Sequence, residues 1–451
     1  MSAEIRALAV AAKSAARTMA ATSNDERDAA LEAVAAALDR ACSEILAANR
    51  EDLAAAQPRL ERGGLTKATV DRLTLTPAKL AAMSEGVRAV ARLPDPIGRV
   101  LERIELDNGL QLEKVSTPIG LLAAIFEARP DAITQISSLA IKSANGVILK
   151  PGSEVERTAR AVVGAIRAAL RGTAVPEAAV TNVQQRAEVD ELLKLDDLID
   201  LVIPRGGYEL VRHVQSNTRI PVLGHSEGVC HIYVDAQASF GMALNIIDDA
   251  KTDYPAACNA VETVLVHRQI AGAFIPLLAK RMIERGVRLR GCSETVATLR
   301  DANVTAPVES VRDDEWHAEY GDLILAIRVV PDMTAAMEHI AKFGSAHTDA
   351  IVTGDQQAAE RFLQQVDSAG VYHNASTRFA DGYRYGFGAE VGISISRLHA
   401  RGPVGLAGLT TYKYILRGAG QVARDYQGPQ ARPFAHARRS HSAGTGEGES
   451  S

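Results

Sequence analysis

The spacing of apolar and polar residues changes twice along this chain. From residue 3 to 57 apolar positions, mostly alanine, recur every three or four residues, which predicts helices. Ser23-Asn24-Asp25-Glu26 has the form of a capping box and marks the start of the second helix. Residues 97–106 then alternate, Asp107-Asn108-Gly109 turns, and 110–115 alternate again. A period of two on either side of Asn-Gly predicts a β-hairpin over 97–116. A two-stranded ribbon is marginal by itself, so it should pair with another strand. From residue 119 short apolar runs alternate with helical spacing. Strands are expected at 121–126, 147–150, 179–183 and 198–203, separated by helices near 131–144, 155–170 and 206–216. A second series has strands at 230–234, 261–266, 323–330 and 350–353, with helices near 238–250, 270–285, 334–343 and 356–368. Such alternation predicts an α/β fold of two domains, each a parallel-rich sheet with helices on both faces. No internal repeat stands out.

Composition narrows the class. The chain has 451 residues, of which 47% are hydrophobic and 23% charged, with room for two or three domains. A net charge of -5 with both signs mixed leaves no nucleic-acid footprint. No apolar run approaches the roughly 20 residues of a membrane span, and the N-terminus lacks the pattern of a signal peptide. The four cysteines, Cys42, Cys230, Cys258 and Cys292, form no C-x-x-C pair and have no histidine at zinc-finger spacing. No metal is expected, disulfides are not expected, and a reduced cytoplasmic setting fits best. From residue 427 the chain is rich in Gly, Ser, Pro and Arg and should be a disordered tail over 427–451.

Several segments carry candidate chemistry. Cys258 lies between a turn-prone Tyr254-Pro255 and the strand-forming run 261–266. There it is either a small buried hydrophobe or a thiol held at the mouth of a cleft, able to attack an activated carbonyl. Cys42 falls in an Ala-rich helix, Cys230 inside a strand and Cys292 in a Gly/Ser loop, and all three read as structural. Glu127, Arg129 and Asp131 follow a buried strand, where open α/β sheets bind ligands; a solvated loop with an ion pair is the other reading. Lys150 ends the next strand ahead of a Pro-Gly turn and a helix, a position suited to a nucleotide ribose or phosphate. Pro204-Arg205-Gly206-Gly207 likewise ends a strand and opens a helix, and its glycines let backbone amides approach a pyrophosphate. Gly386-Phe387-Gly388 is no dinucleotide fingerprint, because residue 391 is valine and no strand–helix context supports it. His225 and Glu227 sit in a glycine-bounded loop. Asn374 and Arg378 lie in a polar segment after a short strand, where the planar fork of Arg378 could take a carboxylate or phosphate.

Taken together, the segments ending at Asp131, Ser153, Gly207, Ala260 and Gly382 resemble the aldehyde dehydrogenase superfamily and, within it, the γ-glutamyl phosphate reductases. The resemblance runs from the N-terminal helices to about residue 425. It implies an aldehyde dehydrogenase-like fold. Residues 1–96 and 117–235 would be the cofactor domain, 97–116 an oligomerisation hairpin and 236–395 the catalytic domain. Residues 396–426 would form a return segment whose strand pairs with the hairpin of a neighbouring subunit, giving a homodimer or homotetramer.

The resemblance also assigns expected roles. Cys258 matches the thiol nucleophile, with Asn259 beside it as a second catalytic candidate. Lys150 matches the lysine that contacts the adenosine ribose. Ser153 stands where NAD-preferring relatives carry a glutamate that repels a 2′-phosphate, which favours NADPH, although Glu154 is adjacent. Pro204, Arg205, Gly206 and Gly207 would complete the cofactor site, and Arg129, His225, Asn374 and Arg378 are the substrate-binding candidates, their roles unassigned. Hydrolytic members carry a glutamate where this chain has Val222, and valine cannot be a general base. The implied reaction is NADPH-dependent reduction of L-glutamyl 5-phosphate to L-glutamate 5-semialdehyde in proline biosynthesis. A separate glutamate 5-kinase would supply the acyl phosphate, since no kinase domain precedes the first helix. The alternatives are a CoA-acylating aldehyde dehydrogenase and a catalytically dead scaffold of the same fold.

Overall fold

A computed structural model describes residues 3–185, 187–224, 227–304 and 307–438. The chain divides into two compact units: residues 1–202, 218–221 and 406–451, and residues 203–217 and 222–405. This differs from the expected boundary at 235. The strand Cys230–Val234 is hydrogen-bonded into the sheet of the second unit, between Val261–His267 and Thr348–Val352.

A four-stranded sheet runs in the order Val180–Asn182, Gly146–Pro151, Leu121–Phe126, Leu201–Arg205. Every residue of Leu121–Phe126 and Gly146–Pro151 is buried, which is why these runs are apolar throughout rather than alternating. The abundance of alanine has a packing reason. A Cβ on Gly146 would lie 3.1 Å from Ala12 O and 3.1 Å from Ala16 Cβ, so the helix Ala3–Met19 runs hard against the sheet. The capping box forms as expected: Glu26 N–H donates to Ser23 Oγ at 3.3 Å and Ser23 N–H to Glu26 Oε2 at 2.7 Å, opening the helix Asn24–Arg40. Helices Lys67–Leu73 and Pro77–Ala91 were not read from the spacing.

The hairpin is Val100–Asp107 and Leu110–Pro118, turned at Gly109, whose φ of +71° favours glycine. Its partner strand is Thr410–Arg417, in the segment the family resemblance implied, but of the same chain rather than of a neighbouring subunit. The reason is proximity. Asn145 Nδ2 donates to Leu409 O at 2.8 Å and Asn145 Oδ1 accepts from Gly120 N–H at 2.7 Å, so Thr410 starts directly opposite Pro118. Part of the expected tail is also ordered: Ala437–Arg438 pair with Ile104 and Glu105 on the other edge of this antiparallel sheet.

The second unit holds a seven-stranded sheet, parallel throughout, in the order Val308–Ser310, Arg288–Gly291, Ile324–Val330, Val261–His267, Cys230–Val234, Thr348–Val352, Gly370–His373. Ile232, Val234, Val264 and Val266 face one core with helices Phe240–Thr252 and Arg268–Glu284, while Tyr233 and Leu265 face another with Met333–Phe343 and Gln356–Gln365. Cys292 is not in a loop interior; it caps a helix, Ser293–Asp301, that the spacing did not reveal. No helix among the described residues is long and apolar enough to cross a membrane.

Candidate functional site

Cys258 lies on a tight double turn. Ala257 N–H donates to Tyr254 O at 3.1 Å and Ala260 N–H to Ala257 O at 2.9 Å, immediately before the strand Val261–His267. The thiol is half-buried. It therefore stands at the amino edge of the sheet, not at the carboxyl edge that serves open α/β sheets in general. The other segments around it also precede strands: Gly228 comes before Cys230, Glu319 before Ile324 and His347 before Thr348.

The backbone of Cys258 is held on two sides. Cys230 Sγ donates to Cys258 O at 3.3 Å from the first turn of its own strand. Burial pushes the Cys230 thiol well above its ordinary pKa, so it stays protonated and serves as a donor. On another side Gly228 lies directly against Cys258. A Cβ at Gly228 would fall 2.1 Å from Cys258 O and 2.6 Å from its Cα and Cβ.

Asn259 is fixed as firmly. Its Nδ2 donates to Ala380 O at 2.9 Å, and its Oδ1 accepts from Arg378 Nη1. Arg378 Nε reaches Asp253 Oδ2 at 3.1 Å, and Arg384 Nη2 reaches the same oxygen at 3.2 Å. Hydrogen bonds from Arg384 and then Arg378 hold the Asp253 carboxyl below the usual carboxylate range. The open donor fork expected at Arg378 is thus turned inward. Two of its three nitrogens bind Asn259 and Asp253, and the residue is only 9% exposed. Asn374 departs further from its expected role. Its amide closes on the backbone of Thr353, with Thr353 N–H donating to Oδ1 at 3.0 Å and Nδ2 donating to Thr353 O at 2.9 Å, at the carboxyl edge of the sheet and away from Cys258.

Behind the turn lies a buried ion pair that spacing did not disclose. Lys251 Nζ donates to Glu262 Oε2 at 2.8 Å and to Asp322 O at 3.1 Å, and both side chains are fully buried. Burial raises the Glu262 carboxyl to about 7 against the pull of Lys251. One signal was available: Glu262 is the one carboxylate in a mostly apolar strand, four residues after Cys258.

Elsewhere in the second unit, Arg205 ends a strand and Gly207 caps the helix Tyr208–Ser216. Nothing lies within 4 Å of where a Gly207 Cβ would be, which leaves open space at that helix start. Pro204 packs against Gly224, whose Cβ would lie 3.3 Å from Pro204 Cγ. Val222 is half-buried. His225 lies outside the described residues.

In the first unit, Lys150 is buried in its strand with Nζ on Pro151 O at 2.6 Å, and Ser153 is exposed at the start of the short 3-10 turn Ser153–Val155. Glu154 folds back over Gly152, and its Oε1 accepts from Ala128 N–H at 2.6 Å. Ala128 has φ +47°, a left-handed conformation that turns the chain sharply between Glu127 and Arg129. The Arg129 guanidinium makes no hydrogen bond or ion pair among the described residues.

Comparison with known proteins gives the family. The model of the aldehyde dehydrogenase family matches residues 1–290. A protein of Synechococcus elongatus named gamma-glutamyl phosphate reductase is 50% identical over 436 residues, 97% of this chain and 99% of that protein. One of the same name from Natronomonas pharaonis is 49% identical over 427 residues, 94% of this chain and 96% of the other. The crystal structure of gamma-glutamyl phosphate reductase from Thermotoga maritima superposes with a TM-score of 0.89 at 39% identity, covering 93% of this chain and 99% of that one. The chain therefore belongs to the aldehyde dehydrogenase family and, within it, to the group of γ-glutamyl phosphate reductases.

Proposed function

We propose that the chain catalyses the glutamate-to-semialdehyde step of proline biosynthesis, the reduction of L-glutamyl 5-phosphate with NADPH through a thioester on Cys258. What carries the reading is the half-buried Cys258 thiol on a turn braced from two sides, in a chain half identical to named reductases over nearly its full length.

The Cys258 thiolate attacks the acyl carbon of the substrate; the C–S bond forms, the C–O bond to phosphorus breaks, and inorganic phosphate leaves. Phosphate is a good leaving group, so little proton donation is needed. Backbone amides near Cys258 stabilise the developing oxyanion. NADPH, when bound, supplies the hydride that reduces the thioacyl carbon. The hemithioacetal then collapses, releasing the aldehyde and returning the thiol. Val222 cannot activate water, which leaves the thioester to exchange with phosphate in the reverse direction.

Two positions, each taken within its own unit, are of a kind that suits a nucleotide: Lys150, an ammonium at the end of its strand, and Gly207, which starts a helix with open space where its Cβ would be. The residue at 153 is an uncharged serine, and the Glu154 carboxylate is engaged by the Ala128 amide; both favour a cofactor with a 2′-phosphate. Among the arginines offered for a substrate anion, Arg378 is committed to Asn259 and Asp253, while Arg129 has no side-chain partner among the described residues.

A reverse assay with glutamate 5-semialdehyde tests all of this at once. Phosphate-dependent, CoA-independent reduction of NADP is expected, with NAD much poorer, and Cys258→Ser is expected to lose activity by at least about 10³-fold. CoA-dependent turnover would favour the acylating class instead, and a fully active Cys258→Ser protein would sink the mechanism.

A further inference from the structure

Gly228 is not a glycine for the sake of its backbone angles. Its φ is not in the left-handed region, yet any side chain there would overlap Cys258, with a Cβ 2.1 Å from the Cys258 carbonyl oxygen. Ser345 Oγ holds the next amide, that of Val229, at 2.9 Å, and the Gly228 amide itself is held by a carboxylate. Gly228 N–H donates to Glu319 Oε2 at 3.0 Å.

Glu319 belongs to the segment leading into the strand Ile324–Val330, and that segment is anchored from behind. Gly321 N–H donates to Glu262 Oε1 at 3.4 Å, and Lys251 Nζ, fully buried, holds Asp322 O at 3.1 Å and Glu262 Oε2 at 2.8 Å. Glu262 is itself only four residues beyond Cys258. The contacts close a ring: Cys258 runs by chain to Glu262, Glu262 to Gly321 by hydrogen bond, Gly321 to Glu319 by chain, Glu319 to Gly228 by hydrogen bond, and Gly228 back onto Cys258 by van der Waals contact.

We propose that Glu319 is a positioning residue for the reaction: by accepting the Gly228 amide it clamps the Gly228 backbone onto Cys258 and so sets the direction in which the thiol points. Its role is that of an acceptor, not of an acid or base. The proposal rests on Cys258 being the nucleophile. Small displacements of a reacting group are costly, on the order of 10²-fold in rate per ångström.

The test uses the full chain and four variants in the reverse assay: Glu319→Ala, Glu319→Gln, Gly228→Ala and Cys258→Ser. Three readouts accompany it: kcat and KM, the pH profile of kcat, and the rate at which iodoacetamide labels Cys258, followed by peptide mass. Glu319→Ala is expected to lower kcat on the order of 10²-fold while KM for NADP changes by less than about twofold, and to alter the labelling rate at Cys258. Glu319→Gln retains an acceptor oxygen and is expected to restore kcat to within about threefold of the parent, with the pH profile unmoved. Gly228→Ala is expected to lose turnover while still binding NADP, measured by fluorescence quenching or calorimetry. An unchanged kcat in Glu319→Ala overturns the proposal. So does a Glu319→Gln protein as poor as Glu319→Ala, which would assign the carboxylate a charge or proton-transfer role. So does a loss of NADP binding in parallel with kcat, the sign of a merely structural defect. An active Cys258→Ser protein instead removes the premise, an outcome the Glu319 variants do not produce.

Discussion

At the scale of single residues, the environment of Cys258 is built from groups whose meaning depends on what they touch. Arg378 reads in sequence as an open fork for an anion, and in the fold it braces Asn259 and Asp253. Arg378→Met, which keeps the volume and removes the donors, is expected to cost about 2 kcal/mol in urea unfolding, because a buried acceptor loses a charged donor. The same variant should lower kcat with little change in KM for the semialdehyde; a large rise in KM alone would return Arg378 to the substrate. Arg378→Lys is not expected to rescue either property, since one ammonium cannot serve both Asn259 and Asp253. Glu262 supplies a pH dependence. The unfolded chain releases this proton near 4.5 and the folded chain near 7, so between those values the folded state holds the extra proton. Its contribution to stability is therefore largest at the acid end of the window, declines as pH rises through it, and is level above about 7. Unfolding free energies of the parent and Glu262→Gln proteins from pH 5 to 8 should show this slope only in the parent.

At the scale of elements, local signals were legible where a short-range rule decides the outcome. The capping box at Ser23 and Glu26 is one, and it needs nothing beyond four residues. Ser23→Ala is expected to cost about 1 kcal/mol, and Ser23→Thr only a fraction of that, read as a shift in the thermal midpoint. The hairpin at Gly109 is another. Its partner could be named from sequence, but which chain supplied that partner could not. That depended on Asn145 joining Gly120 to Leu409, a contact spanning 264 residues. Strands Arg288–Gly291 and Val308–Ser310 escaped notice because they are short and carry charged or polar residues, being at or near the edge of the sheet.

At the scale of the whole molecule, each unit has its own closed core, and one natural probe distinguishes them. The chain has a single tryptophan, Trp316, buried in the second unit against Ala326 and Phe343 with the Arg328 guanidinium over its ring. Tryptophan fluorescence thus follows the second unit, while far-UV circular dichroism follows both. The expected result in urea is two separate midpoints. Coincident midpoints would mean that the chain unfolds as one cooperative body.

The sequence alone determined the α/β class, the order of most elements, the family and Cys258 as the residue to test. These rest on periodicity, turn chemistry and contiguous motifs, all of which are written within a few tens of residues. Tertiary structure decided what surrounds Cys258. Gly228, Cys230, Glu319 and Arg378 are 28 to 120 residues away, and whether a polar side chain is an open ligand or a buried brace depends on what the fold sets beside it. That is why Arg378 is found bracing Asn259, why the Asn374 amide closes on Thr353, and why Gly228 and Glu319 became visible only in the fold.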